Sequence, residues 1–339
     1  MRFVRVVTFC LAVLLGALSS AQARPLHTAW LDEFEYFAAW YAHDQQWDRE
    51  NGLAVAFRLY PTGNNLVDSF YADKWELAGC GGIPALKAVL RDNVSILGIA
   101  LDEAAANALY VRPDGPLSSL TPTAPDKAGK LLAGKRILCP LGTSAHQLVT
   151  ALLDRAGLTD KDVVLIDASP ESALEAFGKG MGDAVALWAP LSYAAEEAGL
   201  RRVADGADCG LFQPTLLLVD KRVAAERPDD VRAFMRGYDR ATAFFRQQPQ
   251  EALVPLYQRF HKETTGKELS AAYALRAIRE HRLFDGDERK QVLTAGAENG
   301  SLSAKLKGLI AFYRKHNALS HKEAARLGET AFYAPEHTE

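Results

Sequence analysis

Several short segments of this chain carry side chains suited to recognising a small charged molecule. In Pro140-Leu141-Gly142-Thr143-Ser144-Ala145-His146, Gly142 permits a tight turn, and Thr143 or Ser144 can cap a helix whose first-turn N–H groups face an anion. An ordinary N-cap uses the same residue types. Cys80-Gly81-Gly82-Ile83-Pro84-Ala85 joins two glycines, which let a ligand approach the backbone, to a proline suited to a first helical turn. A plain tight turn has the same composition. Asp32, Glu33, Phe34 and Glu35 bring negative charge that a cation would need. Acids also favour helix starts through the macrodipole, and Glu35 is read that way. Asp102, Glu103 and Asn107 add polar groups, with Glu103 either a cation ligand or a solvated loop acid. Trp188-Ala189-Pro190 offers an aromatic that closes over a ligand or sits in a core. Ser144 and His146 are helix neighbours that do not face one another, so a nucleophile and its base are not indicated. Neither glycine segment has P-loop or dinucleotide spacing.

These segments follow strands in an alternating pattern. A strand at 27–31 leads into an amphipathic helix over 35–49, in which Phe37, Trp40, Tyr41 and Trp47 recur at roughly helical spacing. Residues 53–60 read as extended, 64–72 as helix, 75–78 as strand, 84–91 as helix and 94–101 as a buried strand. The alternation predicts parallel strands with crossover helices, whose ligands bind beyond the strands' C-terminal ends. After a Pro- and Ser-rich stretch at 112–125, strands at 136–139, 163–166 and 184–188 alternate with helices at 144–156 and 170–178. The chain then passes through 205–214, forms a strand at 215–219 and is largely helical from 228. The expectation is an α/β chain of two lobes with two crossings and a helical C-terminal tail. Residues 24–111 would begin the first lobe, 112–219 form the second with the crossing segments, and 220–339 complete the first. The crossings, near 112–123 and 208–215, would act as hinges that close on ligand.

With 24% charged and 48% hydrophobic residues among 339 and a net charge of −3, disorder and a polytopic membrane protein are excluded. The charge balance argues against a nucleic-acid partner. Arg2 and Arg5 precede an apolar run at 6–18, and Ala21-Gln22-Ala23 offers small residues for cleavage. This is the pattern of an export signal over 1–23, the run being short for a span of about 20 residues. A periplasmic protein starting near Arg24 is expected, and loss of the two arginines moves its charge from −3 to −5. Cys80, Cys139 and Cys209 lack CxxC or histidine spacing, so buried thiols are expected, one bridge is allowed, and neither a metal nor a cofactor is indicated.

In order, these motifs resemble the periplasmic substrate-binding proteins of ABC importers for nitrate, sulfonates and taurine, a family that includes thiamine-precursor binders. The likeness is clearest over 134–199, where strand, turn and helix run through Gly134 to His146. There Ala176-Phe177 to Gly180, then Gly182-Asp183-Ala184, lead to Trp188-Ala189-Pro190. Gly81-Gly82-Ile83-Pro84-Ala85-Leu86 fits the family's Gly-x-x-Pro-Ala-Leu. The resemblance implies a two-lobed, hinged binder without catalysis, partnered by a small-molecule ligand and an inner-membrane permease; a monomer is expected. It carries Ser144, Ala145 and His146 over as the anion contact of the second lobe, Gly82 as that of the first, and Trp188 as the closing aromatic. The family often has an acid where Ala189 stands, and this chain has Asp32-Glu33-Phe34-Glu35. Both departures point to an amine-bearing acid or zwitterion of the size of taurine or an amino acid. Two other classes compete. One is an enzyme on the same fold, such as a thiamine-pyrimidine synthase, whose cysteine-rich iron motif is missing here; the other is a periplasmic sensor subunit.

Overall fold

Every residue of the strand Pro214–Asp220 is buried, and its alternate side chains feed two different cores. Leu217 and Val219 pack with Trp30, Phe37 and Tyr238, while Leu216 and Leu218 pack with Ile83, Leu86 and Ile96. This period of two identifies a central strand covered on both faces. A computed structural model describes residues 24–120, 125–294, 301–316 and 319–328; the expected export signal at 1–23 lies outside them.

The chain runs through β1 (Leu26–Trp30), α1 (Phe34–Asp44), β2 (Val55–Leu59), β3 (Leu77–Gly81), α2 (Gly82–Arg91), β4 (Val94–Asp102) and β5 (Ala108–Val111). It continues as β6 (Arg136–Cys139), α3 (Ser144–Arg155), β7 (Val164–Asp167), α4 (Pro170–Gly178), β8 (Ala184–Leu187), α5 (Leu191–Glu197), β9 (Arg201–Asp205) and β10 (Pro214–Asp220). The main elements that follow are α6 (Pro228–Gln247), α7 (Gln250–Thr265), α8 (Ala271–Glu280), β11 (Arg282–Leu283) and α9 (Leu302–Lys315). One sheet has the order β11-β4-β10-β3-β1-β2 and the other β7-β6-β8-β5-β9. In each, a parallel core is interrupted by one strand that returns antiparallel from the other lobe: β10 beside β3 and β4, and β5 beside β8 and β9.

The first crossing therefore lies at 103–107, not near 112–123, because β5 already belongs to the second sheet. The apolar Ala-Leu-Tyr-Val of β5 is fully buried there. Likewise β10 lies within the first sheet, so the second lobe ends before 214 rather than at 219. The long helix expected over 35–49 breaks at Gln46, which adopts φ 62°, and resumes as Trp47–Glu50. Residues 64–72 form two short helices, Gly63–Asp68 and Phe70–Asp73.

The two crossings run side by side. Glu103 N–H donates to Gln213 O at 2.9 Å, Gly206 N–H to Asn107 O at 3.1 Å and Ala207 N–H to Ala104 O at 3.2 Å. A Cβ at Gly206 would stand 2.2 Å from Gln213 Oε1 and 2.7 Å from Ala104 O. Glycine is thus required where the two segments pass. Cys80, Cys139 and Cys209 are buried.

Candidate functional site

Residues from both lobes meet in a cleft beside these paired crossings. From the first lobe come the turn after β1 with Glu33, the β3–α2 junction with Gly81, and the crossing residue Glu103. From the second come the turn before α3 with Thr143 and Ser144, and Trp188 at the end of β8. With Leu31, Gly63 and Pro84 these residues line one cavity of about 20 Å³. Contacts between the lobes enclose it. The indole Nε1 of Trp188 donates to Glu33 Oε1, Lys315 Nζ of α9 lies 2.6 Å from Asp154 Oδ1 of α3, and Arg202 Nη1 of β9 is 3.0 Å from Glu280 Oε1 of α8. Ala189 and Tyr193 of the second lobe pack into the aromatic core of the first. An acid in place of Ala189 would be buried there.

The cleft holds an unusual concentration of buried acid. Glu33, Glu35 and Glu103 are 8%, 1% and 5% exposed. Burial pushes the Glu33 carboxyl well above the ordinary carboxylate range, and the nearby Glu35, Glu103 and Asp32 push it further, while the Trp188 indole opposes the rise. Burial and the charge of Glu103 do the same to Glu35. Glu103 is pushed up to about 7 by burial, opposed by hydrogen bonding from the Ser144 and Asn107 side chains. Asp32 is raised by burial and, more weakly, by Glu171. Among the described residues Glu35 Oε1 has no hydrogen-bond partner, and none of Glu33, Glu35 and Glu103 has an ion-pair partner within 4 Å. Like charges confined in a weakly polar interior repel strongly, so this arrangement favours protonation or an added positive charge.

The structure distributes the residues picked out in the sequence unevenly. Glu33, Gly81, Glu103, Thr143, Ser144 and Trp188 come together in the small cavity. Asp32 lines an adjoining one. Phe34 lies in the core, stacked on His281 at 4.6 Å between ring centroids. Burial pushes that histidine down to about 4. Gly82 packs against Pro214 and Leu309. Asn107 is fully buried, its amide Nδ2 donating to Glu103 O at 3.0 Å. Ala145 belongs to the second lobe's core.

His146 is turned to local use. Its Nδ1 accepts from Gly142 N–H at 3.2 Å and its Nε2 lies 3.1 Å from Asp160 Oδ2, a contact that holds the Asp160 carboxyl below its usual range. Neither Thr143 nor Ser144 caps α3 through its side chain; the Thr143 hydroxyl donates instead to Pro140 O at 2.6 Å. The helix start is therefore open toward the cleft, with Glu103 on the same cavity wall.

Glu35 is a helix-start acid, as its position in the sequence suggests, but it is also buried beneath the cleft. One participant is not singled out in the sequence. Gln213 donates from Nε2 to Ser144 O at 2.7 Å and to Gln147 Oε1 at 3.2 Å, linking the second crossing to α3. No local pattern marks Gln213.

A family model described as NMT1/THI5 like matches residues 36–252. A protein of Bacillus subtilis (strain 168) named for binding aliphatic sulfonates is 25% identical over 205 residues, 60% of this chain and 59% of its own length. The taurine-binding periplasmic protein of Escherichia coli (strain K12) is 26% identical over 198 residues, 57% of this chain and 58% of its own. The match thus spans less than two thirds of these relatives. Among solved structures, the alkanesulfonate-binding protein SsuA from Xanthomonas axonopodis pv. citri superposes with TM-score 0.69 at 20% identity, covering 91% of this chain and 99% of that one. The nitrate-binding protein NrtA from Synechocystis PCC 6803 gives TM-score 0.69 at 10% identity, over 90% and 85%. At these identities the structures establish the fold, that of two-lobed periplasmic binding proteins.

Proposed function

The chain belongs to the NMT1/THI5-like family, and on that premise we propose that it is the periplasmic solute-binding component of an ABC importer, holding a small amine-bearing solute between its lobes. The observation that carries this reading is the pairing of Trp188 with Glu33 across the cleft, beside buried Glu103 and Glu35. A protonated amine seated there would neutralise carboxyls that lack a basic partner. A charge-assisted hydrogen bond in such a dry site is about twice as strong as a neutral one.

Amino acids and taurine fall within this class by virtue of their amine. The relatives are named as binding proteins, which supports capture over turnover. An inner-membrane permease is the partner this role requires, and export would follow cleavage before Arg24.

A thermal-shift panel of sulfonates, amino acids, simple amines, nitrate and pyrimidines tests the reading, because a ligand bound only by the native state raises the melting temperature. Amine-bearing solutes should stabilise the protein. Stabilisation by nitrogen-free sulfonates or nitrate alone would refute it, and Glu33 and Asp32 would then be structural acids.

A further inference from the structure

The small cavity is not the only space in the cleft. A second cavity, of about 180 Å³, shares Glu33 and Trp188 with the first. The indole–carboxylate hydrogen bond therefore stands at the boundary between an inner and an outer compartment.

Their sizes assign them different occupants. About 10–15 Å³ suffices for one water-sized group, so the inner compartment at about 20 Å³ holds a single small head such as an ammonium. The outer compartment is roughly nine times larger. Its walls are apolar and aromatic where Leu191, Pro190, Tyr193, Leu269 and Tyr273 line it. Asp32, Glu171, Glu197 and Glu268 also line it beside a single lysine, Lys267, so acids are in excess; among the described residues Asp32, Glu171 and Glu197 have no ion-pair partner within 4 Å. A negatively lined, aromatic-walled space favours a cationic molecule with an apolar body.

His261, on α7, is 6% exposed and belongs to the same lining, and among the described residues its Nδ1 has no hydrogen-bond partner. Buried polar atoms are nearly always paired, so this nitrogen beside the compartment is left for a polar substituent on the occupant's otherwise apolar body.

We propose that the outer compartment is a second subsite of the cleft, and that it takes the apolar or aromatic body of an amine whose protonated nitrogen sits in the inner compartment against Glu33 and Glu103. The inference rests on the amine reading given above and extends it, since it makes the solute longer than taurine. Trp188 then forms part of the wall between head and body.

The test is calorimetric titration of the unmodified protein with methylammonium, n-butylamine and phenethylamine. Affinity should rise at least tenfold from the first to the last. Leu191→Trp, which fills the outer compartment from a partly exposed position, should weaken phenethylamine at least tenfold and leave methylammonium unchanged, with the unliganded melting temperature as the check on folding. If that variant does not fold, Tyr273→Ala on α8 should also weaken phenethylamine selectively. Equal affinity for all three amines, or loss of methylammonium and phenethylamine to the same extent in the variant, would overturn the second subsite and leave the amine reading standing. Failure of every amine to bind would remove both.

Discussion

Trp188 at the end of β8 and Glu33 after β1, separated by 155 positions in sequence, meet in a buried hydrogen bond that joins the two lobes. Neither lobe can move away without leaving a buried carboxyl and an indole N–H to be rehydrated.

Replacing Trp188 with Phe keeps an aromatic side chain, though a smaller one, and removes the donor. Leaving Glu33 unsatisfied should weaken the closed form by about 1–3 kcal/mol. Small-angle scattering of the unliganded variant should give a larger radius of gyration than the unmodified protein, and ligand should restore it.

A second set of contacts closes the cleft from the opposite side. Arg276 pairs with Glu196 and lies 2.7 Å from Glu280, which Arg202 also contacts at 3.0 Å, while the Tyr110 hydroxyl donates to Glu196 Oε1 at 2.9 Å. Members of such a network couple by about 0.5–3 kcal/mol. A double-mutant cycle of Glu280→Gln with Trp188→Phe, read by scattering, should show that the two latches favour closure independently; strong coupling would mean that they are one unit.

The buried acids set a pH dependence. A carboxyl whose pKa is raised by folding binds more protons in the native than in the unfolded state, so its contribution is complete below the unfolded value and is lost as pH rises through the folded one. For Glu103, raised from 4.5 to about 7, the window runs between those values, and the loss is on the order of 3 kcal/mol if the whole shift is expressed. The unliganded melting temperature should fall from pH 5 to pH 8, and fall less in Glu103→Gln. A cationic ligand should reverse the trend, binding more tightly as Glu103 ionises.

Gly79 illustrates how the first lobe holds Glu35. A Cβ there would stand 2.4 Å from the Trp30 ring and 3.2 Å from Glu35 Cγ. Gly79→Ala should destabilise the protein by about 1–3 kcal/mol through overpacking, measured by denaturant titration. It should also weaken ligand binding by displacing the acid.

The legible parts of this structure were those written in continuous local patterns. The buried run of β4 and the alternation of β10 follow directly from their apolar residues. The strand β5 did not stand out, because its four residues precede a Pro- and Ser-rich stretch that itself looked like a crossing. The strand β9, Arg-Arg-Val-Ala-Asp, was hidden by charges that tertiary partners neutralise, Arg202 among them. At the site, the residue types were legible and their directions were not. His146 follows the anion-site turn in sequence, yet its ring is claimed by Asp160 and Gly142. Glu35 has the signature of a helix-start acid, and only packing by Trp30 and Gly79, brought from two other strands, makes it buried. Gln213 acts across the hinge through a partner 69 positions away, a relation that no short window contains.

The most direct measurement compares an amine with its deaminated counterpart. For the solute that raises the melting temperature most, calorimetry at pH 7.5 should show the amine binding at least about 30-fold more tightly than the same molecule without nitrogen, the equivalent of the roughly 2 kcal/mol lower bound for losing one partner of a buried charged pair. Glu103→Gln should abolish most of that difference. Equal affinity of the two molecules for the unmodified protein would contradict the assignment of the buried acids to the solute's nitrogen.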